Sequence, residues 1–171
     1  VVFLVLLTIY LGIKIVPQSK VFVIERFGRY NRTLNAGLSL IIPYLDSVAH
    51  RIDILERQLQ SQKISVITRD NVEVELETSV FYRVIDASRS VYRISNIDQA
   101  LTTETAAVVR SAAGKLELDE LQSSRDKMNA EIASTLSPSA DEWGINITRT
   151  SITDVIICLL YTSDAADDWS C

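Results

Sequence analysis

The chain has 171 residues, a formal net charge of −5 and only two cysteines, enough length for one domain with a core and some appendages. No basic excess is present, and only one basic segment carries interleaved aromatics, so nucleic acid is not an expected partner. Both cysteines, Cys158 and Cys171, fall in the last fourteen residues, which leaves the body without thiols for a disulfide framework or a zinc site.

The N-terminus reads VVFLVLLTIYLGIKIV, with 13 of 16 residues apolar and its first charge at Lys14. A spanning helix needs about 20 such residues, and 16 cover only about 24 Å of a roughly 30 Å hydrocarbon core. No small-residue cleavage site follows and no initiator Met precedes. A transmembrane helix over residues 1–16, clipped at its start and ended by Pro17, is therefore expected. From Lys14 to Arg32 five Lys or Arg stand against one acid, Glu25, so the positive-inside rule places the body on the cytoplasmic side.

VFVIERF, Val21 to Phe27, alternates as a strand, with turn chemistry at Gly28 and across Asn31 to Gly37. The run Leu38 to Tyr44 is too short to span a bilayer and too apolar for an open loop. It reads either as a core strand or as a shallow membrane-contacting element. Further strands are expected over His50 to Leu55 and Lys63 to Thr68, with a hairpin turn at Arg69, Asp70 and Asn71. VEVELETSVFYRV then puts Val72, Val74, Leu76, Thr78, Val80 and Tyr82 on one face and the acidic residues Glu73, Glu75 and Glu77 on a wet one.

The period changes in the second half. IDQALTTETAAVVRSAA, Ile97 to Ala113, is helical, and after a break at Gly114 to Leu118 a second helix carries Leu121, Met128, Ile132 and Leu136 in one stripe until Pro138. WGINITRTSITDVII returns to strand chemistry. Strands, then helices, then a strand describe an α+β domain, residues 17–157, with an antiparallel sheet.

Catalytic chemistry is sparse. His50, the lone histidine, and Asp53 are three residues apart on a strand and so point to opposite faces. Glu73, Glu75 and Glu77 read as a solvated face, and no nucleophile elbow, phosphate loop or dinucleotide turn is present. We expect no enzyme, no cofactor and no metal site. The tail also departs from the body's pattern: CLLYTSDAAD, Cys158 to Asp167, resembles a translated transposase sequencing adapter, so residues 158–171 are expected to be non-native.

Taken in order, the apolar N-terminus, ERFGRY with the downstream GLSLIIP, LDELQSSRD, and WGI before ITDV resemble the stomatin branch of the stomatin/prohibitin/flotillin family, in its bacterial or slipin-like form. The resemblance implies an SPFH or band 7 domain in a membrane-anchored oligomeric scaffold that organises membrane microdomains and regulates membrane proteins or membrane proteases. It further implies membrane lipid, a homo-oligomeric ring or cage, and a membrane protease or NfeD-like protein as partners, at a bacterial inner membrane. Carried onto this chain, Leu38, Leu40, Ile41, Ile42, Pro43 and Tyr44 become membrane-contact residues, and Arg26, Arg29 and Arg32 face the headgroups. A lipid-binding module without assembly, or a component of a membrane protease complex, is the alternative.

Overall fold

The computed structural model describes Leu7 and residues 10–157. Most of the expected anchor and the whole adapter-like tail lie outside the described residues. The described residues divide into two compact units, one formed by residues 10–57 with 82–97 and 140–146, the other by 58–81, 98–139 and 147–157.

The first unit is built on a three-stranded antiparallel sheet, ordered β3-β2-β5, from β2 (Lys20–Arg26), β3 (Arg29–Leu34) and β5 (Asp46–Asp53). β2 is central, and its alternation serves two cores instead of one. Phe22 and Ile24 pack with Val16, Leu34 and Ile41, while Val21 and Val23 pack with Ala87. A two-stranded ribbon of β1 (Ile13–Val16) and β4 (Gly37–Leu40) supplies Val16 to the first of these cores. Helix α1 (Ala87–Tyr92) supplies Ala87 to the second. Asp86 caps that helix by accepting from the Ser88 and Arg89 amides, satisfying donors that the first turn leaves open.

This ribbon corrects the expected anchor at its C-terminal end. Residues 13–16 do not continue a helix to Pro17; they pair antiparallel with residues 37–40. The sequence IKIV is β-branched at three of four positions, and pairing lets Val16 bury to 2 % exposure while Lys14 remains in water, a better solution than a helical turn. No helix among the described residues is long and apolar enough to cross a membrane.

The second unit places helices on a sheet of β6 (Arg57–Gln58), β7 (Gln62–Ile67), β8 (Glu73–Val84) and β9 (Ile145–Ile157), in which β8 pairs with the other three. Ile64, Val66, Val74, Leu76 and Ile152 from the strands pack against Val109 and Ala113 of α2 (Ile97–Ala113), Leu121 of α3 (Leu118–Ser123), and Met128, Ile132 and Leu136 of α4 (Arg125–Glu142). The acidic strand face is as expected: Glu75 pairs with Lys63, and Glu77 accepts from Ser61. The β7–β8 turn also holds, with Asn71 at φ +62° and the Thr68 amide donating to the Val72 carbonyl.

Two helical expectations need correction. The second helix is two helices meeting at Ser124, which closes α3 through its amide and opens α4 through its carbonyl. Pro138 does not stop α4, which runs on to Glu142. An internal proline costs about 3 kcal/mol in a lone helix, but here the burial of Leu136 and Ala140 holds the chain on either side of it.

Candidate functional site

The apolar run that raised two readings belongs to neither in full. In the β1–β4 ribbon, Ile13 stands opposite Leu40 and Ile15 opposite Leu38. Residues two apart on a strand share a face, and directly paired residues share it too. Ile13, Ile15, Leu38 and Leu40 therefore form one aliphatic face, and all four are exposed, Leu38 by 77 % and Leu40 by 61 %. The opposite face of the same ribbon turns Val16 into the core.

After β4 the chain turns, and the expected contact residues divide. Ile41 is only 5 % exposed and joins the core, its amide donating to the Gly12 carbonyl. Of the six expected membrane-contact residues, Ile41 thus faces inward. Ile42 and Tyr44 are exposed and Pro43 is half-buried. The turn closes when the Leu45 and Asp46 amides both donate to the Ile42 carbonyl.

The three arginines also differ from one another. Arg26 spans a buried carboxylate, its Nε donating to Asp46 Oδ1 at 2.7 Å and Nη2 to Oδ2 at 3.2 Å. That bidentate bond, aided by the Ile42 amide and by the charges of Arg26 and Arg32, holds the Asp46 carboxyl below its ordinary range despite burial. Arg26 is accordingly an internal clamp that fixes the Ile42–Asp46 turn to the end of β2, not a free headgroup ligand. Arg32 Nη2 donates to the Leu40 carbonyl at 2.5 Å and ties β3 to the ribbon. Arg29 is exposed and has no hydrogen-bond or ion-pair partner among the described residues.

Next to this end of the sheet lies an aromatic group. Tyr92 Oη donates to Glu25 Oε1 at 2.5 Å, and its ring meets those of Tyr30 and His50 edge-on. Desolvation first, then the Glu25 bond, pushes the Tyr92 hydroxyl up to about 12. His50 and Asp53 have separate partners, Tyr92 for the first and Lys20 and Arg57 for the second. Among the described residues no group of three His, Cys, Asp or Glu could hold a metal ion.

Sequence reasoning missed Ile13 and Ile15, whose signal was the IKIV alternation hidden inside a longer apolar run. It also missed Asp46, a single carboxylate at the end of that run with arginines upstream.

Fold and site together define an α+β module that presents an aliphatic ribbon beside arginines. The chain belongs to the SPFH domain / Band 7 family, whose model matches residues 14–163, the family expected from ERFGRY, LDELQSSRD and WGI. It is 33 % identical over 140 residues to the mitochondrial stomatin-like protein 2 of Homo sapiens, covering 82 % of this chain and 39 % of that protein. It is 32 % identical over 144 residues to an uncharacterized protein of Mycobacterium tuberculosis, covering 84 % and 38 %. A third relative, an uncharacterized protein of Methanothermobacter thermautotrophicus, is 32 % identical over 152 residues, covering 89 % and 48 %. The chain spans less than half the length of these curated relatives.

Proposed function

We propose that the chain is part of a membrane-associated, homo-oligomeric scaffold that seats the β1–β4 ribbon on a bilayer, organises membrane microdomains, and regulates membrane proteins or membrane proteases without catalysing a reaction itself. The observation that carries the membrane contact is the register-aligned aliphatic face of Ile13, Ile15, Leu38 and Leu40. Four aliphatic side chains held together in water, by a ribbon whose other face is already used, join none of the buried clusters among the described residues. Tyr44 beside them, an apolar ring with a polar tip, suits the boundary between headgroups and acyl chains.

In this reading the apolar residues before β1 anchor the chain, and the basic flank keeps the body on the cytoplasmic side of a bacterial inner membrane. Oligomerisation and the regulatory role rest on family membership and on the stomatin-like relatives. Two measurements test the proposal. Leu38→Trp, in a chain with Trp143→Phe and Trp169→Phe, should be quenched by lipids brominated on the acyl chains; absence of quenching would overturn the membrane contact. The detergent-solubilised product of the parent gene should be a large assembly, and a monomer there would overturn the scaffold.

A further inference from the structure

We infer that the tip of the β2–β3 hairpin, with Phe27 at its apex and Arg29 beside it, is a second lipid-contacting element that places an aromatic ring among anionic headgroups; this rests on the membrane-contact reading of the ribbon. Arg26 pairs with Arg29 across the hairpin, so the loop is two residues long, and both have positive φ, +51° at Phe27 and +75° at Gly28. A two-residue turn of this hand favours Asn or Asp before Gly, because a branched or bulky side chain at positive φ crowds its own backbone. Phe is unsuited to the position, and it is also 81 % exposed. The folded chain gains neither turn stability nor core packing from that ring. Strain combined with exposure of a large apolar group is the pattern of a residue kept for contact with something else.

The surroundings indicate what that is. Phe27 lines an open depression of about 420 Å³ with Arg26, Arg29, Tyr30 and Asn31. Asp46 in this region is neutralised by Arg26, and Glu25, which pairs with Tyr30 across the hairpin, has its carboxylate engaged by the Tyr92 hydroxyl. Arg29 is left as the charge at the tip without a protein partner among the described residues. Such a patch is complementary to an anionic lipid surface and would repel the same patch on a second copy. The hairpin tip also lies beside the ribbon's outlet: Arg26 pairs with Asp46, the first residue of β5, so the exposed Ile42 and Tyr44 of the preceding turn sit at the same end of the sheet. An aromatic apex, a free guanidinium and a neighbouring tyrosine match the chemistry of the headgroup layer.

The test compares Phe27→Trp with Leu38→Trp in full chains carrying Trp143→Phe and Trp169→Phe, on phosphatidylcholine vesicles that carry a nitroxide quencher on the headgroup or bromines on the acyl chains, with and without phosphatidylserine, each position being scored against both quenchers. Quenching at both positions, stronger at position 27 with phosphatidylserine, is expected. Quenching at 38 but not at 27 overturns this inference and leaves the ribbon contact standing, whereas quenching at neither removes both. A lipid-free change in emission at position 27 that grows with protein concentration assigns the tip to a contact between copies and also overturns it. Phe27→Asn in the otherwise unaltered chain gives a second readout, since Asn tolerates this backbone and the melting temperature should hold or rise. Its partitioning onto phosphatidylserine vesicles should weaken about tenfold, and unchanged partitioning overturns the proposal. Arg29→Gln should weaken partitioning about fivefold on phosphatidylserine vesicles and leave pure phosphatidylcholine unaffected; equal losses on both overturn the headgroup role.

Discussion

Neighbouring residues of the apolar run should respond oppositely to truncation, and this is the sharpest check on the proposed site. Leu38 and Leu40 are 77 % and 61 % exposed, so together they leave the surface of about 1.4 leucine side chains for a bilayer to cover. At about 1.5–3 kcal/mol per side chain, replacing both with Ser should weaken vesicle partitioning by about 2–4 kcal/mol, a factor of about thirty to several hundred. Folding should barely change, because exposed substitutions away from caps and cores move stability by about 0.5 kcal/mol. Ile41→Ala, one residue on, empties a position packed against Val16, Phe22, Ile24 and Leu34. It should cost about 2–5 kcal/mol of folding stability and, in the fraction that folds, leave partitioning unchanged. Urea unfolding and flotation on phosphatidylserine vesicles read the two quantities separately. Any other part of the chain that binds lipid contributes equally to parent and variant, so the difference isolates the ribbon. Unchanged partitioning of the double Ser variant, with its fold intact, would show that the ribbon face does not contact the bilayer.

The other unit has its own test: Ile132, fully buried among Leu121, Met128 and Leu136, should lose about 2–5 kcal/mol in urea unfolding when changed to Ala. Gly144 has φ +73°, and a Cβ there would lie 2.6 Å from the Asp86 carbonyl oxygen. Gly144→Ala should therefore destabilise by more than about 1 kcal/mol, seen as a lower melting temperature with greater loss of protection at the Ile85 and Asp86 amides, which donate to the Gly144 carbonyl. The lowered Asp46 carboxyl, held chiefly by the Arg26 bond, stabilises the fold above the ordinary carboxylate range, and that contribution is lost as pH falls through and below about 4. Melting curves across acid pH should show a flatter limb for Asp46→Asn. Tyr92 has the opposite sign: raised to about 12 by desolvation and the Glu25 bond, its contribution is complete below about pH 10 and disappears between there and about 12, so Tyr92→Phe should flatten the alkaline limb.

Much of the fold was legible because its signals are local. Helix α2 spans Ile97–Ala113 as its period requires, and β8 buries Val74, Leu76, Thr78, Val80 and Tyr82 on the alternation read from the sequence. The failures share one cause, a tertiary partner that the local pattern does not contain. IKIV follows a mostly apolar stretch and extends its helical reading until GLSL, more than twenty residues away, offers a strand to pair with. Pro138 is a helix stop by itself, but side chains buried on both sides carry α4 through it.

The candidate site shows the same limit at the scale of single residues. An almost unbroken run such as LSLII has too few polar members to mark its phase, so it reveals that apolar surface is present without revealing which side chains keep it in water. Phase comes instead from two long-range anchors: pairing with β1, which turns Leu38 and Leu40 outward, and the Arg26–Asp46 clamp, which fixes where the turn ends. The same clamp commits Arg26 to Asp46 and leaves Arg29 exposed beside Phe27. A basic segment read as three equivalent arginines is therefore one structural clamp, one tie to the ribbon through Leu40, and one exposed charge without a partner among the described residues. Charge reversal should separate these roles: Arg26→Glu places a carboxylate against Asp46 and should unfold the turn, whereas Arg29→Glu should leave the melting temperature unchanged and weaken only binding to anionic vesicles. If Arg26→Glu melted like the parent, the clamp, and with it the phase assigned to the apolar run, would be wrong.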